Sequence, residues 1–223
     1  MNERLIFYDY WRSSSAWRVR IALHFKQISV ERCAVNLLAE GGEQHRPDFH
    51  ALNPLSEVPV LVVDDAAGAP RVIAQSMAIL HYLEERFPAP PLLPADPWLR
   101  ARARQLAEMV NAGIQPFQNL SLQQRLRANG FADPALIARA SNARGLGALE
   151  ALASETAGRF LIGEAPTLAD VYLVPQLYAA RRYDVELAPF PTLLRIEAAC
   201  AALPAFAAAH PDLQPDAPAA SKS

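Results

Sequence analysis

Three consecutive serines, Ser13-Ser14-Ser15, follow Trp11-Arg12 and precede a segment in which Val19, Ala22, Leu23 and Lys26 fall on neighbouring helical spacings. Serines placed just ahead of such a stripe read as a helix start. The first turn of a helix presents N–H groups without intrahelical partners and a partial positive charge, so an anion or a thiolate is stabilised there without any cationic side chain. Serine hydroxyls at the same turn donate further hydrogen bonds. A free thiol titrates near about 8.5, and lowering that by about two units takes roughly 2.7 kcal/mol of thiolate stabilisation. A helix end plus one or two hydrogen bonds to a charged acceptor is of that order. The alternative reading of the same serines is an ordinary helix cap.

Two further sites invite the same question. Gln75-Ser76 opens a second helical segment, either as a cap or as a second anion site where Ser76 and backbone N–H groups take a carboxylate. Val58-Pro59 stands before an apolar run. A proline there is either a trans strand start or a cis bond that exposes neighbouring backbone groups to an extended peptide-like ligand. Among the cations only Lys26 and Lys222 are lysine and the rest are arginine. Arginine's planar fork suits carboxylates, so an arginine-lined site for an acidic ligand is the functional reading and codon bias the alternative.

These residues need a frame. Leu5–Tyr10, Ile28–Leu37, Val60–Val63 and Arg71–Ala74 read as strands, with Asp64-Asp65-Ala66-Ala67-Gly68 as a turn. Helices are expected from the serines to near Lys26, near Pro47–Leu52, and from Gln75-Ser76 to Arg86-Phe87. Strand–helix alternation ending in a hairpin describes a small mixed α/β domain, residues 1–87. Five prolines within residues 88–97 cannot continue a helix and form a linker. Residues 98–223 are rich in Ala, Leu, Arg and Glu, with helices expected at Trp98–Leu126, Pro134–Ser154, Thr167–Arg182, Thr192–Ala202 and Pro204–Ala209. Thr167-Leu168-Ala169-Asp170 is a capping box with Asp in the usual Glu or Gln position. The tail from Pro211 is expected to be irregular and partly mobile.

The 223 residues carry 21 Lys and Arg against 23 Asp and Glu, a formal charge of −2. That balance argues against nucleic acid and polybasic membrane attachment. Cys33 and Cys200 form neither a CxxC pair nor a zinc-spaced set, so two free thiols and no metal are expected. The opening residues lack a signal-peptide pattern and no apolar stretch reaches about 18 residues, so no membrane span and a cytoplasmic location are expected.

Together the phrases resemble one family. Trp11-Arg12-Ser13-Ser14-Ser15-Ala16-Trp17-Arg18-Val19-Arg20-Ile21-Ala22-Leu23 is similar to the signature of zeta-class glutathione transferases, the family of maleylacetoacetate isomerase. The resemblance continues through Gly41-Gly42-Glu43-Gln44-His45, Asn53-Pro54 with Val58-Pro59, Gln75-Ser76, Leu92-Leu93-Pro94, Ile114-Gln115-Pro116-Phe117-Gln118-Asn119-Leu120, Thr167-Leu168-Ala169-Asp170 and Gln214-Pro215-Asp216. It implies an α/β plus all-α protein: a thioredoxin-like N-terminal domain followed by an all-helical glutathione-transferase C-terminal domain, as a homodimer using glutathione. It implies that Ser13, Ser14 and Ser15 lie near the glutathione sulfur, that Gln44, Val58, Gln75 and Ser76 hold the tripeptide, and that Gln115, Asn119, Leu120 and Ser121 border the site. Arg12 and Arg182 are then the expected cations for a dicarboxylate substrate, with ion pairing as their alternative. Trp17, Arg18 and Arg20 read as structural. This chain departs from the family at Ser15, often cysteine; at Glu57, often glutamine; and in a longer turn at Asp64–Pro70.

The activity implied is glutathione-dependent cis–trans isomerisation of maleylacetoacetate to fumarylacetoacetate by thiolate addition, bond rotation and elimination. The alternatives are maleylpyruvate isomerisation, glutathione transfer to small α-halo acids, and a non-catalytic glutathione-binding protein.

Overall fold

Alternating burial along β1 (Glu3–Asp9), where Leu5 and Phe7 are buried and Ile6 and Tyr8 half-buried, sets the centre of a four-stranded sheet. The protein is described by a computed structural model covering residues 3–65 and 68–219; Ala66 and Ala67 of the expected turn, and the end of the expected tail, lie outside the described residues. β1 runs into helix α1 (Ser14–Phe25), which returns the chain to β2 (Glu31–Ala34), parallel to β1 with Ile6 opposite Glu31. After the short helix α2 (Pro47–Leu52), β3 (Val60–Asp65) pairs antiparallel with β1, Phe7 opposite Leu61, and β4 (Arg71–Ala74) pairs antiparallel with β3. Helix α3 (Ser76–Arg86) packs on α1. The order β2-β1-β3-β4 is the mixed, thioredoxin-like sheet.

β2 is shorter than the expected Ile28–Leu37. Its first residues are used in ending α1: Gln27 takes a left-handed φ of 55°, and the N–H groups of Gln27 and Ile28 return to His24 and Leu23. Beyond Ala34, the Asn36 side chain accepts from Leu38 and Ala39 N–H and turns the chain away.

The chain divides into two compact units, residues 1–90 with 204–223, and residues 91–203. The second unit is helical: α4 (Pro97–Gly113), α5 (Leu120–Ala128), α6 (Ala135–Ala153), α7 (Leu168–Arg182) and α8 (Pro191–Ala201). α4 packs on α7, and Leu106, Val110, Tyr172 and Leu173 of these helices are buried. The single helix expected over Trp98–Leu126 is broken. Gly113 ends α4, and Pro116, which lacks an N–H and crowds the preceding turn, forces a 3-10 turn over Gln115–Gln118 before α5. Helix α9 (Pro204–Ala208) belongs to the first unit and packs on α1. The tail expected from Pro211 is largely irregular among its described residues, but it is tied down. Pro211–Leu213 forms a 3-10 turn, and Gln214 and Asp216 are hydrogen-bonded into the first unit. No helix among the described residues is long and apolar enough to cross a membrane.

Candidate active site

The chain leaves β1 through Tyr10-Trp11-Arg12 and enters α1 at Ser13, its N-cap. Ser13 Oγ accepts from the Ala16 N–H at 3.2 Å, its carbonyl accepts from Trp17 N–H at 2.8 Å, and its own N–H goes to Tyr10 O. The cap reading of the serine run is therefore correct for Ser13, whose hydroxyl proton is still available to donate. Ser14 and Ser15 occupy the first turn with backbone N–H groups and hydroxyls that have no partner among the described residues. The three serines are half-buried, and no acidic residue fills the first turn. Such a corner holds two open amides, three hydroxyls and the positive end of the helix. Arg12 stands beside it with its guanidinium over the Trp11 ring, 5.4 Å from the centroid, and has no carboxylate partner among the described residues. The ion-pair alternative for Arg12 thus does not hold within them.

A second open helix end lies at α3. Its N-cap, Gln75, has φ 73° and gives no side-chain cap bond. A non-glycine residue in that region costs on the order of 1–3 kcal/mol and persists where the surroundings demand it. Ser76, buried, is the first helical residue, and the N–H groups of Ser76 and Ala78 have no partner among the described residues. Beneath it the fully buried Arg18 of α1 donates from Nη1 to Ser76 Oγ at 3.2 Å. Arg18 thus ties α1 to the first turn of α3 and adds a cation below the second anion-accepting end. The sequence reads Arg18 as structural, and its burial among Trp17, Val19, Ile21 and Ala22 agrees with that while placing its charge under the α3 end.

Gln44 lies in the 3-10 turn Glu43–His45, buried, with Nε2 facing His45 Nε2 at 3.1 Å and Oε1 without a partner among the described residues. An orphaned buried acceptor costs about 1–3 kcal/mol, which a ligand N–H would remove. Gly42, at φ 104°, lies directly against the Gln44 amide, leaving no room there for a Cβ. Val58 is buried in an apolar cluster with Tyr10 and Trp11, and its peptide bond to Pro59 is cis. The sheet ladder stops at the Tyr8–Val60 pair, so the Val58 backbone lies outside it. The buried Asn53 amide fixes the approach, donating to Glu57 O at 2.8 Å and accepting from Leu55 N–H.

Within the first unit, then, Arg12 and the three serines share one corner, Ser76 is tied to α1 by Arg18, and Val58 packs with Trp11. The other expected site residues lie in the second unit. Gln115 donates to Asn119 across the 3-10 turn. Asn119 is the N-cap of α5, followed by Leu120 and Ser121 in its first turn. The 3-10 turn before it is anchored by Gln118, whose Oε1 accepts from buried Asn142 and Gln176. Arg182 is exposed at the end of α7, and its neighbour Arg181 makes a two-pronged ion pair with Glu197. Metal-binding clusters of His, Cys, Asp or Glu are absent among the described residues.

A thioredoxin-like sheet whose helix ends are left open for anions, joined to an all-helical unit, defines a small-thiol-binding transferase scaffold. The model of the glutathione S-transferase N-terminal domain matches residues 12–86 and that of the C-terminal domain residues 123–214. The chain is 44% identical to maleylacetoacetate isomerase from Rattus norvegicus, over 96% of this chain and 95% of that protein. It is 53% identical, with a TM-score of 0.88, to the crystal structure of maleylacetoacetate isomerase from Anaeromyxobacter dehalogenans with bound dicarboxyethyl glutathione and citrate in the active site, covering 97% and 98% of the two chains. A holo structure of maleyl pyruvate isomerase, a bacterial zeta-class glutathione S-transferase, matches at 41% identity and a TM-score of 0.88, covering 96% and 100%. The chain belongs to the glutathione S-transferase family, in the branch that contains the maleylacetoacetate isomerases.

Proposed function

We propose that the protein is a glutathione-dependent cis–trans isomerase that converts maleylacetoacetate to fumarylacetoacetate, acting as a cytoplasmic homodimer in aromatic amino-acid breakdown. The observation that carries the reading is the α1 corner: two partnerless amides and three hydroxyls beside an arginine with no carboxylate partner. The donor set fits glutathione, because open amides at two helix ends suit its thiolate and a carboxylate, and the orphaned Gln44 Oε1 suits one of its N–H groups.

When bound, glutathione supplies a thiolate that adds to the cis double bond and later leaves, so that the bond is single while it rotates. The residues do the rest. Ser14 and Ser15 N–H and the serine hydroxyls hold the sulfur's negative charge without a general base. Ser76, backed by Arg18, holds the γ-glutamyl carboxylate, and the Val58 backbone pairs with the cysteinyl part. Arg12 attracts the substrate carboxylate and stabilises the enolate charge that develops as the double bond is saturated. The roles of Gln75, Gln115, Asn119, Leu120, Ser121 and Arg182 rest on the family resemblance. The dicarboxyethyl adduct of glutathione in the Anaeromyxobacter relative is a thioether to a diacid, which supports both the addition step and the need for carboxylate-binding cations.

An absorbance assay with maleylacetoacetate, with and without glutathione, tests this. Turnover that requires glutathione without consuming it is expected; no turnover, or turnover independent of glutathione, rejects it. The likeness to maleyl pyruvate isomerase supports a second reading, the same chemistry on a smaller acid. Comparing kcat/KM for the two substrates decides between them.

A further inference from the structure

Asp216 lies beyond the part of the chain that matches the family models. Its carboxylate reaches the corner of the proposed site nonetheless. Oδ2 accepts from the Trp11 N–H at 2.8 Å, and Oδ1 pairs with Arg32 Nη2 at 2.8 Å. Arg32 Nε in turn donates to Asp9 Oδ2 at 2.6 Å, and the other oxygen of Asp9 accepts from Arg20 Nη1 at 2.7 Å. Arg20 completes the circuit by donating from Nη2 to the Trp11 carbonyl at 2.8 Å. Asp9 and Arg20 are buried, with 0% and 3% of their side chains exposed. The ring holds two carboxylates and two guanidiniums, so its charge is balanced. Burial pulls the Arg20 guanidinium below its usual value and the Asp9 charge opposes this. Gln214 secures the tail: its Oε1 accepts from Arg32, and its Nε2 donates to Ala208 O and His210 O. Ala217 packs in the same apolar cluster as Trp11 and Val58.

We infer that Asp216 is a positioning residue for the thiolate corner: with Arg32, Asp9 and Arg20 it closes a ring of charge-assisted hydrogen bonds that grips Trp11 at both its N–H and its C=O, and so fixes Arg12 and Ser13. Only Tyr10, Trp11, Arg12 and Ser13 separate β1 from α1, so the grip on Trp11 is passed directly to the cation and the cap. Reacting groups must be held to about 0.5 Å, and a displacement of about 1 Å costs on the order of a hundredfold in rate. Without Asp216 the Trp11 N–H loses its acceptor, and a single carboxylate faces two guanidiniums. A tail that merely anchored the fold would lend stability and leave the bound sulfur unchanged.

The kinetic part of the test rests on the proposed isomerase reading, so the first readout uses glutathione alone. Its thiolate absorbance in the ultraviolet is titrated against pH on the full-length protein, for the wild type, Asp216→Ala and Asp216→Asn, each first checked as folded by circular dichroism. In Asp216→Ala the bound thiol is expected to titrate about one pH unit higher. Its kcat/KM for the cis diacid should fall roughly tenfold, with kcat affected more than KM. Asp216→Asn keeps an acceptor for Trp11 and should recover part of both. An unchanged thiol midpoint in a folded variant overturns the inference, and so does failure of both variants to fold, which would make the residue an anchor only. If the wild type binds glutathione but does not isomerise, the functional reading fails while the thiol midpoint still decides the role of Asp216.

Discussion

The N-termini of α1 and α7 use the same opening chemistry for opposite ends. Each begins with a hydroxyl N-cap, Ser13 in one and Thr167 in the other. At α7 the box is closed. Thr167 Oγ1 accepts from Ala169 N–H, and Asp170 accepts from Thr167 N–H and from Leu161 N–H, both at 2.8 Å, in a fully buried setting. At α1 there is no first-turn acid, the turn is half-exposed, and the amides of Ser14 and Ser15 stay open. A helix end is closed when the chain supplies its own carboxylate and stays open to an anion when it withholds one.

The largest expected effect lies on the closed side. Asp170→Ala strips the acceptor from two buried N–H groups at about 1–3 kcal/mol each, so a loss of roughly 4 kcal/mol in urea unfolding is expected, with kcat of the folded fraction unchanged. Burial also pushes the Asp170 carboxyl up to about 6 from its ordinary 3.8. Between those values the native state binds the proton and the unfolded state does not. The wild type therefore gains stability from this group as pH falls through about 6, and its margin over Asp170→Ala widens over that window. A margin that narrowed instead would mean that the hydrogen bonds to the ionised form outweigh its burial.

Supplying α1 with the missing acid sharpens the comparison from the other side. Ser15→Asp puts a carboxylate on the open amides. Stability should hold or rise by about 0.3–1 kcal/mol, as at any helix start. Loss of the full thiolate stabilisation should lower kcat/KM by roughly a hundredfold. Wild-type activity in this variant would show that the sulfur is not held at that end of α1.

The contrast was half visible in the sequence. Thr167 and Asp170 are three residues apart in one chain segment, and the serines adjoin the helix they open; local spacing is enough to read both caps. The break at Pro116 is equally local, a proline inside the span expected to be one helix. The ring at Trp11 was of another kind. Asp9, Arg20, Arg32 and Asp216 are polar residues from four separate segments, and only sheet pairing and the return of the tail bring them together. Gln214-Pro215-Asp216 resembles a family phrase, but its partners Trp11 and Arg32 lie some two hundred residues away, beyond the reach of local spacing.

The smallest effect separates cap from donor within the serine run. Ser13→Ala removes the acceptor for Ala16 N–H and should cost about 1 kcal/mol of stability, as N-cap losses do. Ser14→Ala and Ser15→Ala lie inside the first turn, where alanine is the better helix former, and should leave stability unchanged or raise it by a few tenths of a kcal/mol. Activity need not follow that order. The Ser13 hydroxyl accepts from the helix and so has its proton turned outward, which makes it the best placed of the three to donate to a sulfur. Ser13→Ala is therefore expected to raise the titration midpoint of the bound thiol most. If Ser15→Ala raises it more while leaving unfolding untouched, the donor is Ser15, and Ser13 is a cap alone, as Thr167 is at α7.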